Sequence, residues 1–258
     1  MIGLLFMSGG AHAETLTCAG ATLPLESCDG GEVNIDCNGQ SSCTVAAEFK
    51  LTSASCIVQR VGTCDVTVLG TSSSAPAFTV NAAASKTATL TLRDIQPQCG
   101  NASFILVEPR ENAGTTTISL ERLGATTACA KKGPLLTTAN ETGTPTISVS
   151  ITDSVLTGWT SEGWDSSDTA SLKEGGLLSL DNTKLTLTGS LLADNTLSPS
   201  STLTGGGFIS AAGEKSVLEL TNNLFVQSKA VTQDQQGTML RLALGAKATI
   251  SHNVFIDE

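Results

Sequence analysis

In the second half of the chain, apolar residues recur in a fixed order. Four segments carry it: "ITDSVLTG" from Ile151, "LTGSLLAD" from Leu187, "LTNNLFVQ" from Leu220 and "ISHNVFID" from Ile250. Each reads aliphatic, Thr or Ser, two turn-type residues, then two apolar residues. The starts lie 36, 33 and 30 residues apart. An alternating stretch leads into each: "TISVSI", "TKLTLT", "VLEL" and "ATI". A period of two marks a strand with one face toward a core. Further upstream stands a Gly-led apolar pair: Gly133-Pro-Leu-Leu136, Gly175-Gly-Leu-Leu178, Gly206-Gly-Phe-Ile209 and Gly237-Thr-Met-Leu240. Weaker copies come earlier, "FTV" then "TATLTLRDI", and "SFILV" then "TTTISLERL". No stretch keeps apolar residues at helical spacing over several turns.

One unit is therefore a short strand, a polar connection, an alternating strand, a two-residue turn, a short strand and a long polar loop. Three short strands in about thirty residues predict an all-β fold, a right-handed parallel β-helix. A single coil cannot bury its apolar row. Stacked coils pair each strand with its equivalents at about 4.8 Å and close a continuous interior. Variable period is tolerated because insertions collect in one loop, the longest being "TGWTSEGWDSSDTASLKE". The stacked turns are Asp153-Ser154, Gly189-Ser190, Asn222-Asn223 and His252-Asn253. Asn suits such a place, since it accepts left-handed backbone angles and hydrogen-bonds along a stack. An antiparallel sandwich or barrel also yields short strands, but it does not require the same three-part unit repeatedly.

Cysteine usage divides the chain. All eight cysteines, Cys18, Cys28, Cys37, Cys43, Cys56, Cys64, Cys99 and Cys129, lie in the first half. An even count at these spacings predicts disulfides in an oxidising compartment, with the pairing left open. Metal ligation would want Cys-x2-Cys pairs or His partners, which are missing. The opening "MIGLLFMSGGAHAETL" has a short apolar run and an Ala11-His12-Ala13 site, which reads as a signal peptide cleaved after Ala13. It lacks a basic start, so a buried first strand is the alternative. The expected organisation is a signal peptide over 1–13, a Cys-rich section over 14–75 and the β-helix over 76–258. The Cys-rich section is either the first, narrower coils or a small stapled cap. Asn101 and Asn140 head N-glycosylation triplets. Twelve-residue ice-binding solenoids share the Thr-Cys pairs, but no twelve-residue period exists here.

Charge narrows the partners. The formal net charge is −10, with only 14 Lys and Arg, which excludes nucleic acid and anionic membrane surfaces. No cofactor or metal motif appears, and calcium ligation by Glu162, Asp165 and Asp168 lacks any known spacing. His252 is the one histidine that signal cleavage would leave, and it occupies a turn slot held elsewhere by Asp153, Gly189 and Asn222. No catalytic residue is therefore assigned. A carbohydrate-active enzyme would need clustered carboxylates, for which Asp181, Asp194, Glu219, Asp234 and Asp257 are the candidates. Trp159 and Trp164 sit in the longest loop and are the candidate binding residues.

The pattern resembles the β-helical passenger domains of chlamydial polymorphic outer membrane proteins and related autotransporter-type adhesins. Gly205-Gly206-Gly207-Phe208 approaches their "GGA-aliphatic" motif. Leu192-Ala193-Asp194-Asn195 matches their "FxxN" with Leu for Phe. Phe225-Val226-Gln227-Ser228 and Phe255-Ile256-Asp257-Glu258 keep the Phe and lose the Asn. The dispersed gene family of trypanosomatid surface proteins is similar in the same broad way. The resemblance covers about 76–258 and is to architecture more than to motifs. It implies a secreted or surface-displayed adhesin or antigen, non-catalytic, whose repeats bind a host or cell-surface protein or glycan. Membrane attachment would run only through a missing C-terminal anchor, so a fragment truncated at the C-terminus is also expected. The alternatives are a polysaccharide lyase or glycoside hydrolase, and a non-functional fragment of a larger surface protein.

Overall fold

The computed structural model describes residues 13–28, 31–71, 75–98, 100, 102–108, 114–124, 133–139, 146–161, 177–197, 208–226, 229–230 and 239–256. Among these the fold is all-β, with no helix, and the paired strands run parallel. The strands fall into tiers. The first two tiers are β1 (Ala13–Thr17) with β2 (Leu23–Leu25), and β3 (Glu32–Asp36) with β4 (Ser42–Ala47). The third is β5 (Phe49–Leu51), β6 (Ala54–Val61) and β7 (Asp65–Gly70). The fourth is β8 (Phe78–Val80), β9 (Thr87–Arg93) and β10 (Gln96–Pro97), and the fifth β11 (Ile105–Val107) and β12 (Thr115–Glu121). The sixth holds β13 (Leu136–Thr138), β14 (Ile147–Thr152), β15 (Val155–Thr157) and β16 (Thr160–Ser161). The seventh holds β17 (Leu178–Asp181), β18 (Thr183–Thr188), β19 (Leu191–Ala193) and β20 (Thr196–Leu197). The eighth holds β21 (Ile209–Ala212), β22 (Val217–Thr221), β23 (Leu224–Val226) and β24 (Lys229–Ala230). The ninth is β25 (Leu240–Ala243), β26 (Lys247–Ser251) and β27 (Val254–Ile256).

Equivalent strands of successive tiers pair. A nine-stranded sheet runs from β1 to β26, and a seven-stranded sheet from β5 to β25. A four-stranded sheet joins β2, β4, β7 and β10, and another joins β15, β19, β23 and β27. The register repeats the sequence alignment residue for residue: Ile151 pairs with Leu187, Leu187 with Leu220, and Leu220 with Ile250. The Gly-led pairs stack as well, with Leu136 on Leu178, Leu178 on Ile209 and Ile209 on Leu240. The core consists of these inward columns. Leu92, Leu120, Ile151, Leu187 and Leu220 are all essentially fully buried. Aliphatic columns on neighbouring tiers touch along their whole length, so each tier covers the apolar row of the next.

The Cys-rich strands join the same long sheet. In it Glu14 stacks on Val33, and Val33 on Val58, tiers of 19 and 25 residues. These short tiers enclose fewer side chains, and covalent links compensate. Cys18–Cys43, Cys28–Cys56 and Cys37–Cys64 are disulfide-bonded, at sequence separations of 25, 28 and 27. Cys99 and Cys129 lie outside the described residues, as do Asn101, Asn140 and residues 1–12, most of the expected signal peptide.

Candidate functional site

Polar chemistry concentrates at the turn after the long sheet. Asp94, Arg122, Asp153, Asn222 and His252 all have positive φ, from 48° to 57°, and Gly189 takes the same place at 65°. They form one column of left-handed residues. Glycine fits its tier closely, because a Cβ at Gly189 would lie 2.5 Å from Asp153 Oδ1. His252 is thus a turn residue, exposed, and its equivalents in earlier tiers, Asn222, Gly189 and Asp153, carry unrelated side chains.

The next residue of each turn points inward and builds a ladder. The Leu123 N–H donates to Ser154 Oγ at 3.1 Å, and the Ser154 N–H to Ser190 Oγ at 3.1 Å. The Ser190 N–H donates to Asn223 Oδ1 at 3.0 Å, and the Asn223 N–H to Asn253 Oδ1 at 2.8 Å. The Asn side chains also donate back, Asn223 Nδ2 to the Leu187 carbonyl and Asn253 Nδ2 to the Leu220 carbonyl. Buried turn amides are satisfied in this way without water.

The outer rim of the same turn carries charge. Arg93 and Glu121 are direct cross-strand partners, with Nε donating to Oε2 at 2.6 Å. Arg122 donates to both Asp94 oxygens, at 2.9 and 2.7 Å, and Arg60 adds a contact to Asp94 at 3.7 Å. The Arg122 hydrogen bonds hold the Asp94 carboxyl below its ordinary range, against partial desolvation. The Arg93 hydrogen bond does the same for Glu121, helped by the Ser119 hydroxyl. A glycosidase acid needs the opposite shift. Since both carboxyls titrate lower folded than unfolded, they stabilise the fold above the ordinary carboxylate range. That contribution disappears as pH falls through the depressed values. Asp94→Asn with Glu121→Gln is expected to lower stability at neutral pH by no more than about 1 kcal/mol per pair, given the exposure. Urea denaturation from pH 7 to pH 2 should show a flatter acid limb in the double variant. An unchanged limb would exclude the network as its cause.

The remaining sequence candidates do not converge. Trp159 is 1% exposed and belongs to the core. Its backbone N–H donates to Asn195 Oδ1 at 3.0 Å, and Asn195 Nδ2 donates to the Leu156 carbonyl at 2.8 Å. Val155, Leu156 and Thr157 pair with Leu191, Leu192 and Ala193, so Trp159 fills the slot held by Asn195 one tier on. An indole so placed presents no surface platform. That alignment was available in the sequence, as Leu156-x-x-Trp159 beside Leu192-x-x-Asn195. Trp164, Glu162, Asp165, Asp168, Asp234 and Asp257 lie outside the described residues. Asp181, Asp194 and Glu219 sit respectively at the end of β17, after β19 and within β22, in different sheets or turns. Among the described residues no group of three or more His, Cys, Asp or Glu is arranged to hold a metal ion. No described helix is long and apolar enough to cross a membrane.

The outward face of the long sheet carries runs of hydroxyls between charged residues such as Arg93, Glu121, Lys184 and Glu219. Thr89, Thr117 and Ser148 form one column, and Ser119, Ser150 and Thr186 a second. Thr152, Thr188, Thr221 and Ser251 form a third. No family model, curated protein or solved structure matches the chain.

Proposed function

We propose that the stacked sheets are the walls of a right-handed parallel β-helix, secreted or displayed at a cell surface as a non-catalytic adhesin or antigen. Handedness rests on the rule that crossovers between parallel strands of one sheet are right-handed in about 98% of cases. The disulfides favour an oxidising compartment. Asn195, buried and bonded to the neighbouring tier, behaves as the structural Asn of an FxxN-like motif, which supports the likeness to chlamydial and autotransporter-type passengers.

The observation that carries the reading is the outer face of the long sheet. Along one column, Thr91, Ser119, Ser150 and Thr186, a hydroxyl recurs at every tier from β9 to β18, about 4.8 Å apart. Such a surface offers many identical weak contacts to a protein or glycan, and avidity makes them sufficient. The test compares monomeric protein with a tetrameric display on cells and immobilised glycans. Apparent affinity is expected to rise about 10²–10⁴-fold on display. Release of shortened or unsaturated sugars from a polysaccharide panel would replace this reading with the carbohydrate-active enzyme. Equal binding of monomer and tetramer would remove the multivalent mechanism.

A further inference from the structure

Three of the chain's five arginines, Arg60, Arg93 and Arg122, come together on successive tiers at the outer rim of the long sheet. They are 33 and 29 residues apart in sequence, so stacking alone makes them neighbours. Gln59, Arg93 and Glu121 form one column, since Gln59 pairs with Arg93 and Arg93 with Glu121. Arg60, Asp94 and Arg122 form the next, joined by the contacts of Asp94 with both arginines.

Three of these side chains are pinned at one atom set and unspent at another. Arg93 commits Nε and Nη2 to Glu121, and Arg122 commits Nε and Nη2 to Asp94. Among the described residues no group takes Nη1 of either arginine. Gln59 donates from Nε2 to Glu32 at 2.7 Å and to Asn34 at 3.0 Å, which orients its amide. Among the described residues no group donates to its Oε1. Arg93 and Arg122 are 36% and 53% exposed and their carboxylate partners 24%, so the guanidiniums stand further into solvent than the acids that hold them. A guanidinium fixed by one carboxylate keeps a planar edge for a second anion, and its ordering entropy is already spent in folding.

We propose that Gln59, Arg93 and Arg122 form a binding site for an acidic glycan. The two guanidiniums take a carboxylate or sulfate group of one sugar, and the Gln59 carbonyl accepts a hydroxyl of the next. Arg60, Arg93 and Arg122 meet Asp94 and Glu121 there, three positive charges against two. Glu32 beside Gln59 and Asp153 beyond Arg122 bound the array at its ends. The net charge of −10 opposes an anion at a distance, but physiological salt screens such fields beyond about 8 Å, so contact geometry decides. Asn34 and Ser119 flank the site, and polar neighbours suit sugar hydroxyls better than peptide side chains. The inference rests on the binding reading of this face and names its ligand class.

The probes are tetragalacturonate, a sulfated galactotetraose and neutral galactotetraose, with tetraglutamate as the peptide control. The 258-residue protein is titrated with each, followed by the NMR signals of the arginine Nε–H groups. Saturable shifts at Arg93 and Arg122 are expected with an acidic tetrasaccharide and not with the neutral one. The tighter of the two acidic probes identifies the anionic group. Arg93→Gln and Arg122→Gln should each weaken binding about tenfold or more while the amide spectrum stays that of a folded protein. Lys184→Gln, on the same face two tiers beyond Arg122, should leave binding unchanged. An equal loss in Lys184→Gln would reduce the effect to general charge and overturn the site. Equal binding of the neutral sugar or of tetraglutamate would overturn it too, as would no saturation with either acidic probe. Cell binding by the tetrameric display is measured separately, so the adhesin reading survives a failure here.

Discussion

Reduction of the three disulfides is expected to release the first three tiers while the later ones stay folded. Each bridge closes a loop of 25 to 28 residues, for which chain entropy alone gives a stabilisation of about 3–4 kcal/mol. They fasten the two short tiers to each other and to the third, and a short tier buries little apolar surface for each residue it orders. Val33, Ile35, Val45 and Val58 supply much of the interior there, beside the half-cystines themselves. In a stacked array each tier depends on its neighbours, so loss at one end spreads only as far as the next tier of adequate intrinsic stability. Native-state hydrogen exchange with and without reductant checks this. Fast exchange across β1, β3 and β6, with β14 and β18 unchanged, is the expected pattern. The paired substitution Cys28→Ala with Cys56→Ala should give a milder version of it, about 2–5 kcal/mol at those strands. Equal acceleration through β18 would mean that the sheets unfold as one unit.

The bridges also show where sequence reasoning stops. The repeat in the second half was legible because apolar spacing and turn chemistry coincide there. An aliphatic residue, a left-handed residue and a small polar residue recur together, and the register follows them without a slip. In the first sixty residues no such copy exists, so the tier width could not be counted. Without the width, Cys18, Cys28 and Cys37 had no identifiable partners. The pairing turns out to join each to the third cysteine after it, a consequence of tiers narrower than those downstream.

The polar candidates divide along the same line. Single residue types were poor guides, as His252 and Trp159 show, because a turn slot and a core slot accept many side chains. The ion network was hidden for another reason. It depends on Arg93 meeting Glu121 and on Arg122 reaching Asp94 on the neighbouring tier, and a shift of one residue would destroy both contacts. The weaker early copies in the sequence do not fix register that finely.

Asn223→Ala is expected to be the more damaging of two substitutions in neighbouring turns, at about 2–4 kcal/mol, while His252→Asn changes stability by less than about 0.5 kcal/mol. Asn223 is buried, and its side chain works in both directions along the stack. It accepts the Ser190 N–H at 3.0 Å and donates to the Leu187 carbonyl at 2.8 Å and to Asn253 Oδ1 at 2.9 Å. Truncation leaves the Ser190 amide without an acceptor in an interior closed to solvent, and an orphaned buried donor costs more than the mean worth of the bond that was lost. Ser in its place should recover much of the loss, since Ser154 and Ser190 carry the same role in earlier tiers. His252 has the rarer backbone conformation but an exposed side chain, and Asn tolerates the same positive φ. Chemical denaturation of both variants, with hydrogen exchange at Ser190, decides the matter. If His252→Asn proved as costly as Asn223→Ala, the left-handed column and not the inward ladder would be holding the tiers in register.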